Sequence, residues 1–340
     1  MPHTIVIADD VTGANDIGIM YAKAGLSALV YSFKEGEKGE YLPCDALVID
    51  TDSRFDAEKD AYRKVYDALQ NIPKEEGVQF IDKQCSVFRG NIGAEFDAMM
   101  DALGEDFGVV VLGFPNNGRT TLHHIHYVHG VRLEESQFKN DPVHPMLCSD
   151  LVEILQSQTK RKVGAIDYEV YSGGEKAVKE ALEKAKESFQ YVIMDVRDNG
   201  DLELLAKCLK NQRMICGSSA LSEYLAKQEA ESAGKGAFRK FTKVREKVFC
   251  MAGSLTPQTI AQTAYMKQKG CPVFTLDTRK LLNKNDREKE LKRLYQEVQR
   301  AYKTEDFVMI HSMNQPKEVA ETKELAALAG IGNTEMSTLV

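Results

Sequence analysis

The chain has 340 residues, 43% of them apolar and 28% charged, and carries a formal net charge of −7. These values describe an ordinary globular protein, and the length favours two domains. The acidic balance excludes nucleic-acid binding by bulk electrostatics, so any anion must be held by a local cluster of cations and backbone N–H groups.

In chain order, apolar β-rich runs fall at 4–8, 27–31, 46–50, 78–82, 109–114, 163–166, 191–195, 213–217, 247–252, 272–276 and 306–311. Most are short and nearly continuous in hydrophobicity, as strands covered on both faces are. Amphipathic stretches such as Ala57–Leu69, Glu175–Lys186 and Asp286–Tyr302 lie between them. The alternation predicts repeated βαβ units: an α/β fold with a mainly parallel sheet and helices on both faces. Lys227–Lys247 breaks the rhythm, being charged and glycine-containing with few apolar residues. The reading is therefore an N-terminal domain over 1–235, a linker over 236–247 and a second α/β domain over 248–340. No basic-then-apolar signal opens the chain, and no apolar run approaches a membrane span. The seven cysteines are odd in number and form no C-x-x-C pair, which fits reduced packing thiols in a cytoplasmic protein.

The chemistry gathers at strand ends. The run Thr4-Ile5-Val6-Ile7-Ala8 stops abruptly at Asp9 and Asp10, and a helical pattern follows at once, ending at Gly25. Thr51-Asp52-Ser53-Arg54 follows the run 46–50. Lys83, Ser86, Arg89 and Gly90-Asn91 follow 78–82, and Asn117-Gly118-Arg119-Thr120 follows 109–114 and Pro115. In a parallel sheet these ends share one edge, so residues far apart in sequence converge there. Arg and Lys suit a carboxylate, Asp suits hydroxyls as acceptor or base, and the helix opening at Gly90–Glu95 adds N–H groups for an anion. The composition points to a hydroxylated acid.

The same segments resemble a known family. Ala8-Asp9-Asp10-Val11-Thr12-Gly13-Ala14-Asn15-Asp16 is similar to the opening motif of the four-carbon acid sugar kinases. Lys83-Gln84-Cys85-Ser86-Val87-Phe88-Arg89-Gly90-Asn91-Ile92-Gly93-Ala94-Glu95 resembles their K-x-(C/D)-S-T-x-R-G-N-I-G-A-E segment. Phe114-Pro115-Asn116-Asn117-Gly118-Arg119-Thr120 resembles F-P-x-x-G-R-T. Asp141-Pro142 and His144-Pro145 with Ser149-Asp150 resemble a later stretch, and Gly253-Ser254-Leu255-Thr256-Pro257 resembles the turn that opens the ATP domain. The resemblance implies ATP-dependent phosphorylation of the terminal hydroxyl of threonate, erythronate or 3-oxo-tetronate, with Mg²⁺ bridging the phosphates. It implies that Asp10, Arg54, Lys83 and Ser86 contact the sugar acid, with Gln84 and Cys85 in the same loop. Arg89, Asn117 and Arg119 join them as rim candidates. It implies further that Ser254 contacts ATP. Asp10 is expected to orient or deprotonate the attacking hydroxyl, and Asp9 to assist a metal directly or through water. The expected partner is a small-molecule sugar acid, without nucleic acid or membrane and with a homo-oligomer left open.

Family members continue past the position of Val340 with Gly-Gly-x-Thr and Lys-Pro-Gly-Gly-Phe-Gly-like segments, which this sequence lacks. With about three strand candidates, 248–340 is expected to be a partial nucleotide-binding domain in a truncated chain. Two other readings stay open: a non-catalytic sugar-acid-binding fragment, and a metal-dependent α/β enzyme using Asp9 and Asp10.

Four histidines crowd into His123-His124-Ile125-His126-Tyr127-Val128-His129. On a strand, His124 and His126 would share one face and His123 and His129 the other, which splits the set and predicts a polar strand or loop near the rim. Gly173-Gly174-Glu175-Lys176 lacks the phosphate-loop pattern and reads as a turn and helix start. Gly217-Ser218-Ser219 follows a strand and suits either an anion or a helix cap. Lys289, Lys292, Arg293 and Arg300 read as a solvated helix face.

Overall fold

The computed structural model describes residues 2–36, 41–70, 72, 74–141, 143–235, 247–313, 315–332, 336 and 339. Two compact units divide the chain, Met1–Lys240 and Phe241–Val340. The linker expected over 236–247 lies outside the described residues but for Lys247, as do Pro142 and most of the tail beyond Gly332. The stretch that begins at Lys227 is not linker at its start, because the preceding helix continues through Ser232.

The first unit holds strands β1 (Thr4–Ala8), β2 (Ala28–Ser32), β3 (Ala46–Asp50), β4 (Gln79–Lys83), β5 (Gly108–Val111), β6 (Arg119–Leu122), β7 (Ile125–Val128), β8 (Val131–Arg132), β9 (Val163–Ile166), β10 (Tyr191–Met194) and β11 (Met214–Gly217). Its helices are α1 (Val11–Lys23), α2 (Glu58–Gln70), α3 (Ile92–Leu103), α4 (Leu151–Gln156), α5 (Gly174–Lys186), α6 (Asn199–Leu209) and α7 (Ala220–Ser232). Eight strands form one sheet in the order β2-β3-β1-β4-β11-β5-β10-β9. Every neighbouring pair in it is parallel.

Hydrophobicity on both strand faces dictates the layers. Val6, Ala8, Val48 and Val109 pack with α1, α5, α6 and α7. Ile5, Ile7, Leu47 and Phe80 pack on the other side with α2, α3 and α4. Both faces are therefore covered, as the continuous apolar strands require.

Register aligns the strand ends. Ala8 lies opposite both Asp50 and Lys83, and Gly217 lies opposite both Lys83 and Val111. Asp9, Thr51, Gln84 and Ser218 thus follow one rung at one edge of the sheet. Strands β1 and β4 are neighbours, yet the chain leaves them in opposite directions, β1 toward β2 and β4 toward β5. That is a topological switch point, where a crevice opens beyond the carboxyl ends of the strands. Gly217, at the centre of the edge, has φ +138, and a Cβ there would meet the Val111 carbonyl oxygen at 2.1 Å. Only glycine fits.

The histidine-rich stretch expected as a polar strand or loop lies on the turn and second strand of a hairpin. The run 119–132 forms a small antiparallel sheet, β6-β7-β8, which is bridged to the main body at Thr121–Val196 and Ile125–Asp150.

The second unit carries β12 (Val248–Ala252), β13 (Val273–Leu276) and β14 (Phe307–Ser312), with α8 (Pro257–Gln268), α9 (Lys284–Ala301) and α10 (Pro316–Leu328). Its parallel sheet runs β12-β14-β13, over a core that includes Leu276, Leu281 and Leu294. Among the described residues no helix is long and apolar enough to cross a membrane.

Candidate active site

Asp9 and Asp10 stand where β1 turns into α1, and their fates differ. Asp9 is fully buried, and its two carboxylate oxygens accept from Arg54 Nε at 2.6 Å and Arg54 Nη2 at 2.7 Å. Its backbone carbonyl also accepts from the N–H groups of Ser53 and Arg54. Asp10 is the N-cap of α1. One of its oxygens accepts from the Gly13 N–H at 2.7 Å, and the other accepts from Arg54 Nη1. One guanidinium therefore serves both acids, in the forked geometry that arginine offers and lysine does not. Burial alone would pull Arg54 down, but the two carboxylates outweigh it and hold the guanidinium firmly charged. Burial pushes Asp9 up against the opposing pull of Arg54.

Lys83 ends β4 beside this pair. It is buried, and its ammonium donates to the Gln84 carbonyl at 3.1 Å and lies 3.9 Å from Asp16 Oδ2. A Cβ on Gly13 would fall 3.0 Å from Lys83 Nζ, 2.7 Å from Asp10 Oδ1 and 3.7 Å from Asp9 Oδ1. The ammonium and both acids thus meet over the first turn of α1, and a side chain at Gly13 would obstruct them. Asp16 in turn accepts from Ser219 Oγ, which ties the Gly217-Ser218-Ser219 turn to the same edge.

Further along the rim, Arg89 donates from Nε to Cys85 Sγ at 3.3 Å and from Nη1 to Asp141. Arg89 and Arg119 both lie over the Phe138 ring, at 5.3 and 5.7 Å. Burial lowers Arg119, and the neighbouring charge of Arg89 adds to the effect. Cys85 lies within electrostatic reach of Arg54, Arg89 and Arg119. His144, stacked on Phe55 with ring centroids 5.6 Å apart, feels Asp141, Arg89, Arg54 and Asp9. Three guanidiniums around one thiol favour an anionic guest. A cavity of about 530 Å³ opens on the flank of this group, lined in part by Arg89, Gly90 and His144.

His126 supports the loop after β4 from below. It is fully buried, its Nε2 bonds the Ser86 carbonyl at 3.0 Å and its Nδ1 pairs with Thr121 Oγ1 at 3.1 Å. Burial pulls it down to about 4, so near neutral pH it is an uncharged imidazole. The bond to a carbonyl places its proton on Nε2.

Two expectations need correcting. Gln84 does not face the rim. It is fully buried, and its amide nitrogen donates to Asp82 at 2.9 Å and to Glu95. The exposed Asn117 gives its backbone carbonyl to Arg119 Nη1. Asp9 is not poised for a metal, because the guanidinium occupies both of its oxygens and no surface is open to an ion or its water. The reading as a metal enzyme built on Asp9 and Asp10 loses its basis there. The residues that sequence reasoning missed are Asp16, Asp82, Phe138 and His126 in its supporting role. Of these, only Asp16 carried a signal, since it closes the Ala8–Asp16 motif.

In the second unit, Gly253 and Ser254 follow β12, and Thr256 caps α8 by accepting from the Thr259 N–H. Ser254 Oγ lies 3.2 Å from Thr256 Oγ1, and both residues are exposed. A Cβ on Gly253 would meet nothing within 4 Å. Open glycine backbone, exposed hydroxyls and a twelve-residue helix N-terminus at a strand end fit a nucleotide's phosphates.

Comparison with known proteins agrees with both halves. Residues 4–225 match the model of a sugar-binding N-terminal domain, and residues 249–340 match that of a nucleotide-binding C-terminal domain. A 3-oxo-tetronate kinase of Haemophilus influenzae is 33% identical over 86% of this chain and 70% of that kinase. The chain belongs to the four-carbon acid sugar kinase family. A D-erythronate kinase of Heliobacterium modesticaldum, another relative, is 28% identical over 100% of this chain and 77% of its own length. The crystal structure of a Haemophilus influenzae protein superimposes with a TM-score of 0.68 at 31% identity, covering 98% of this chain and 80% of that one. Membership makes this protein a sugar acid kinase, an enzyme that moves a phosphoryl group to a hydroxyl.

Beneath the β1/β4 rim of this kinase lies a buried pair of acids. Asp82 and Glu95 are fully enclosed on either side of Gln84, and burial raises both well above the usual carboxylate range. Asp82 Oδ2, Gln84 Oε1 and Glu95 Oε1 have no hydrogen-bond partner, an imbalance that a proton on each acid eases. A carboxyl whose folded pKa is raised contributes stability below its unfolded value and loses it as pH rises through the folded value. Thermal unfolding from about pH 5 to about pH 9 should therefore show stability falling with pH, and Glu95→Gln should flatten that slope. Equal slopes in the two proteins would mean that Glu95 is already ionised in the native state.

Proposed function

We propose that this kinase transfers the γ-phosphoryl of ATP to the terminal hydroxyl of a four-carbon sugar acid: 3-oxo-tetronate, erythronate or threonate. The observation that carries the reading is the meeting of Asp10, Arg54 and Lys83 at the β1/β4 switch point, with Arg89 and Arg119 close by, in a chain that matches both family domains. The names of the two relatives support the substrate class.

In this reading the rim divides the labour. Arg89 and Arg119 take the carboxylate, each braced against Phe138. The Asp9–Arg54 pair is a fixed support, since neither group turns without breaking a bidentate bond in a dry setting. Asp10 keeps lone pairs beyond those given to Gly13 and Arg54, and with them it orients the attacking hydroxyl and accepts its proton. Lys83 offsets negative charge that gathers as the bond forms. The Gly253–Thr256 loop holds the nucleotide, whose phosphates carry Mg²⁺ and supply the phosphoryl group. The kinase works in the cytoplasm, a reading supported by seven unpaired thiols.

A coupled ADP-release assay with each acid tests the proposal. Turnover should require the acid and should favour one of the three. ADP release that ignores every acid would remove the reading.

A further inference from the structure

The β6–β7 turn brings imidazoles against acids from three other segments. His123 and His124 form the turn, with φ of 48 and 55. The almost fully buried Asp195, just past β10, clamps it: Oδ2 accepts from the His123 N–H at 2.8 Å and Oδ1 from the His124 N–H at 3.0 Å. The Tyr168 N–H also reaches Oδ2 at 3.2 Å, which leaves Oδ1 with a lone pair to spare. Asp167, just past β9, faces both rings. Its Oδ2 lies 3.6 Å from His123 Nδ1, and its Oδ1 lies 3.8 Å from His124 Nδ1. The far ring nitrogens each face a further carboxylate: His123 Nε2 is 3.3 Å from Glu169, and His124 Nε2 is 3.4 Å from Asp150.

These inner distances are too long for hydrogen bonds. They match the ligand–ligand edge around a divalent metal, about 3.4 Å for bonds of about 2.1 Å. One ligand atom each from His123, Asp167 and Asp195 lie within 4.8 Å of one another. His124 Nδ1 and Asp167 Oδ1 are buried atoms with no hydrogen-bond partner, so the interior of the group has donors to spare for an ion. A carboxylate on the far nitrogen is the usual outer support of a metal-bound histidine.

We propose that His123, Asp167 and Asp195, with His124 alongside, form a site for one divalent transition-metal ion that ties the β6–β7 hairpin to the ends of β9 and β10. Imidazole with carboxylate selects Zn²⁺, Co²⁺ or Ni²⁺ over Mg²⁺, so this ion is separate from the one carried by the nucleotide. The hairpin holds Arg119 and His126, so the metal fixes the wall of the acid site without touching the substrate.

The test uses the full, tag-free chain, stripped with chelator and titrated with Co²⁺ while its visible absorption is followed. One equivalent should bind, and Zn²⁺ should erase the spectrum. His123→Asn, which tolerates the left-handed turn, and Asp167→Asn should each weaken binding at least about tenfold, with far-ultraviolet circular dichroism unchanged. Glu169→Gln should weaken it less. The proposal falls if the native chain shows no saturable binding, as two charged imidazoles bridging the four carboxylates would give. It also falls if both variants bind as the native chain does, as an ion held by thiols would.

Discussion

Arg54→Met should lower the stability of the kinase by roughly 3–5 kcal/mol, the usual effect of removing one partner from a buried ion pair. Asp9 has no surface open to water, and its carboxylate would lose both guanidinium bonds, with only the Lys83 ammonium nearby to offset its charge. The companion Asp9→Asn/Arg54→Met removes both charges and should recover much of that loss, because what destabilises is the uncompensated acid more than the missing contact. Turnover should stay undetectable in both, since Asp10 loses the guanidinium that fixes it. Urea unfolding monitored by circular dichroism measures the first effect. If Arg54→Met unfolds within about 1 kcal/mol of the parent, Asp9 is not held as an ion in the native protein.

Asp10→Asn separates chemistry from architecture. Asparagine caps a helix about as well as aspartate, so α1 keeps the bond from the Gly13 N–H. The amide retains an acceptor oxygen but has little basicity. A loss of about 10²–10⁴ in kcat is expected, the range that one general base supplies. Asp10 is partly exposed, and solvent screens its pair with Arg54, so the stability change should stay near 1 kcal/mol. Steady-state kinetics at saturating acid and ATP reads this directly. A fall of less than tenfold would make Asp10 a cap and an ion-pair partner with no part in the reaction.

Much of this arrangement was legible before any coordinates. The strands of the main sheet announce themselves because both faces are covered, and continuous runs such as IVIA or ALVI have few other uses. Their polar ends then had to share an edge, and the register of Ala8, Asp50, Lys83 and Gly217 places them there. The hairpin sheet was harder to see. Its strands are two to four residues long, its histidines fall on turn and strand alike, and its ties to the main body are scattered contacts with Val196, Ser149, Asp150 and Asp195 that no local pattern announces.

Direction was the other blind spot. A polar loop after a strand does not show which side chains turn outward. Gln84 turns inward because Asp82, two residues back, and Glu95, eleven residues on, are both enclosed there. Adjacent acids at Asp9 and Asp10 look like a metal pair in a sequence. What decides otherwise is an arginine 45 positions away, a partner that no local pattern names.

The shared final rung of the sheet also bears on how such an enzyme diversifies. Lys83 is the last residue of a strand whose pairing is already complete, and Arg54 and Arg89 follow close behind strand ends, so the segments beyond Arg54 and Arg89 can lengthen or shorten to admit a different acid while the hydrogen-bonded ladder stays intact. A single extra residue inside β1 or β4 is another matter: it would exchange the two faces and turn Asp9 away from Arg54 or Lys83 away from Asp16. New specificities should therefore come from insertions outside the ladder and almost never from within it.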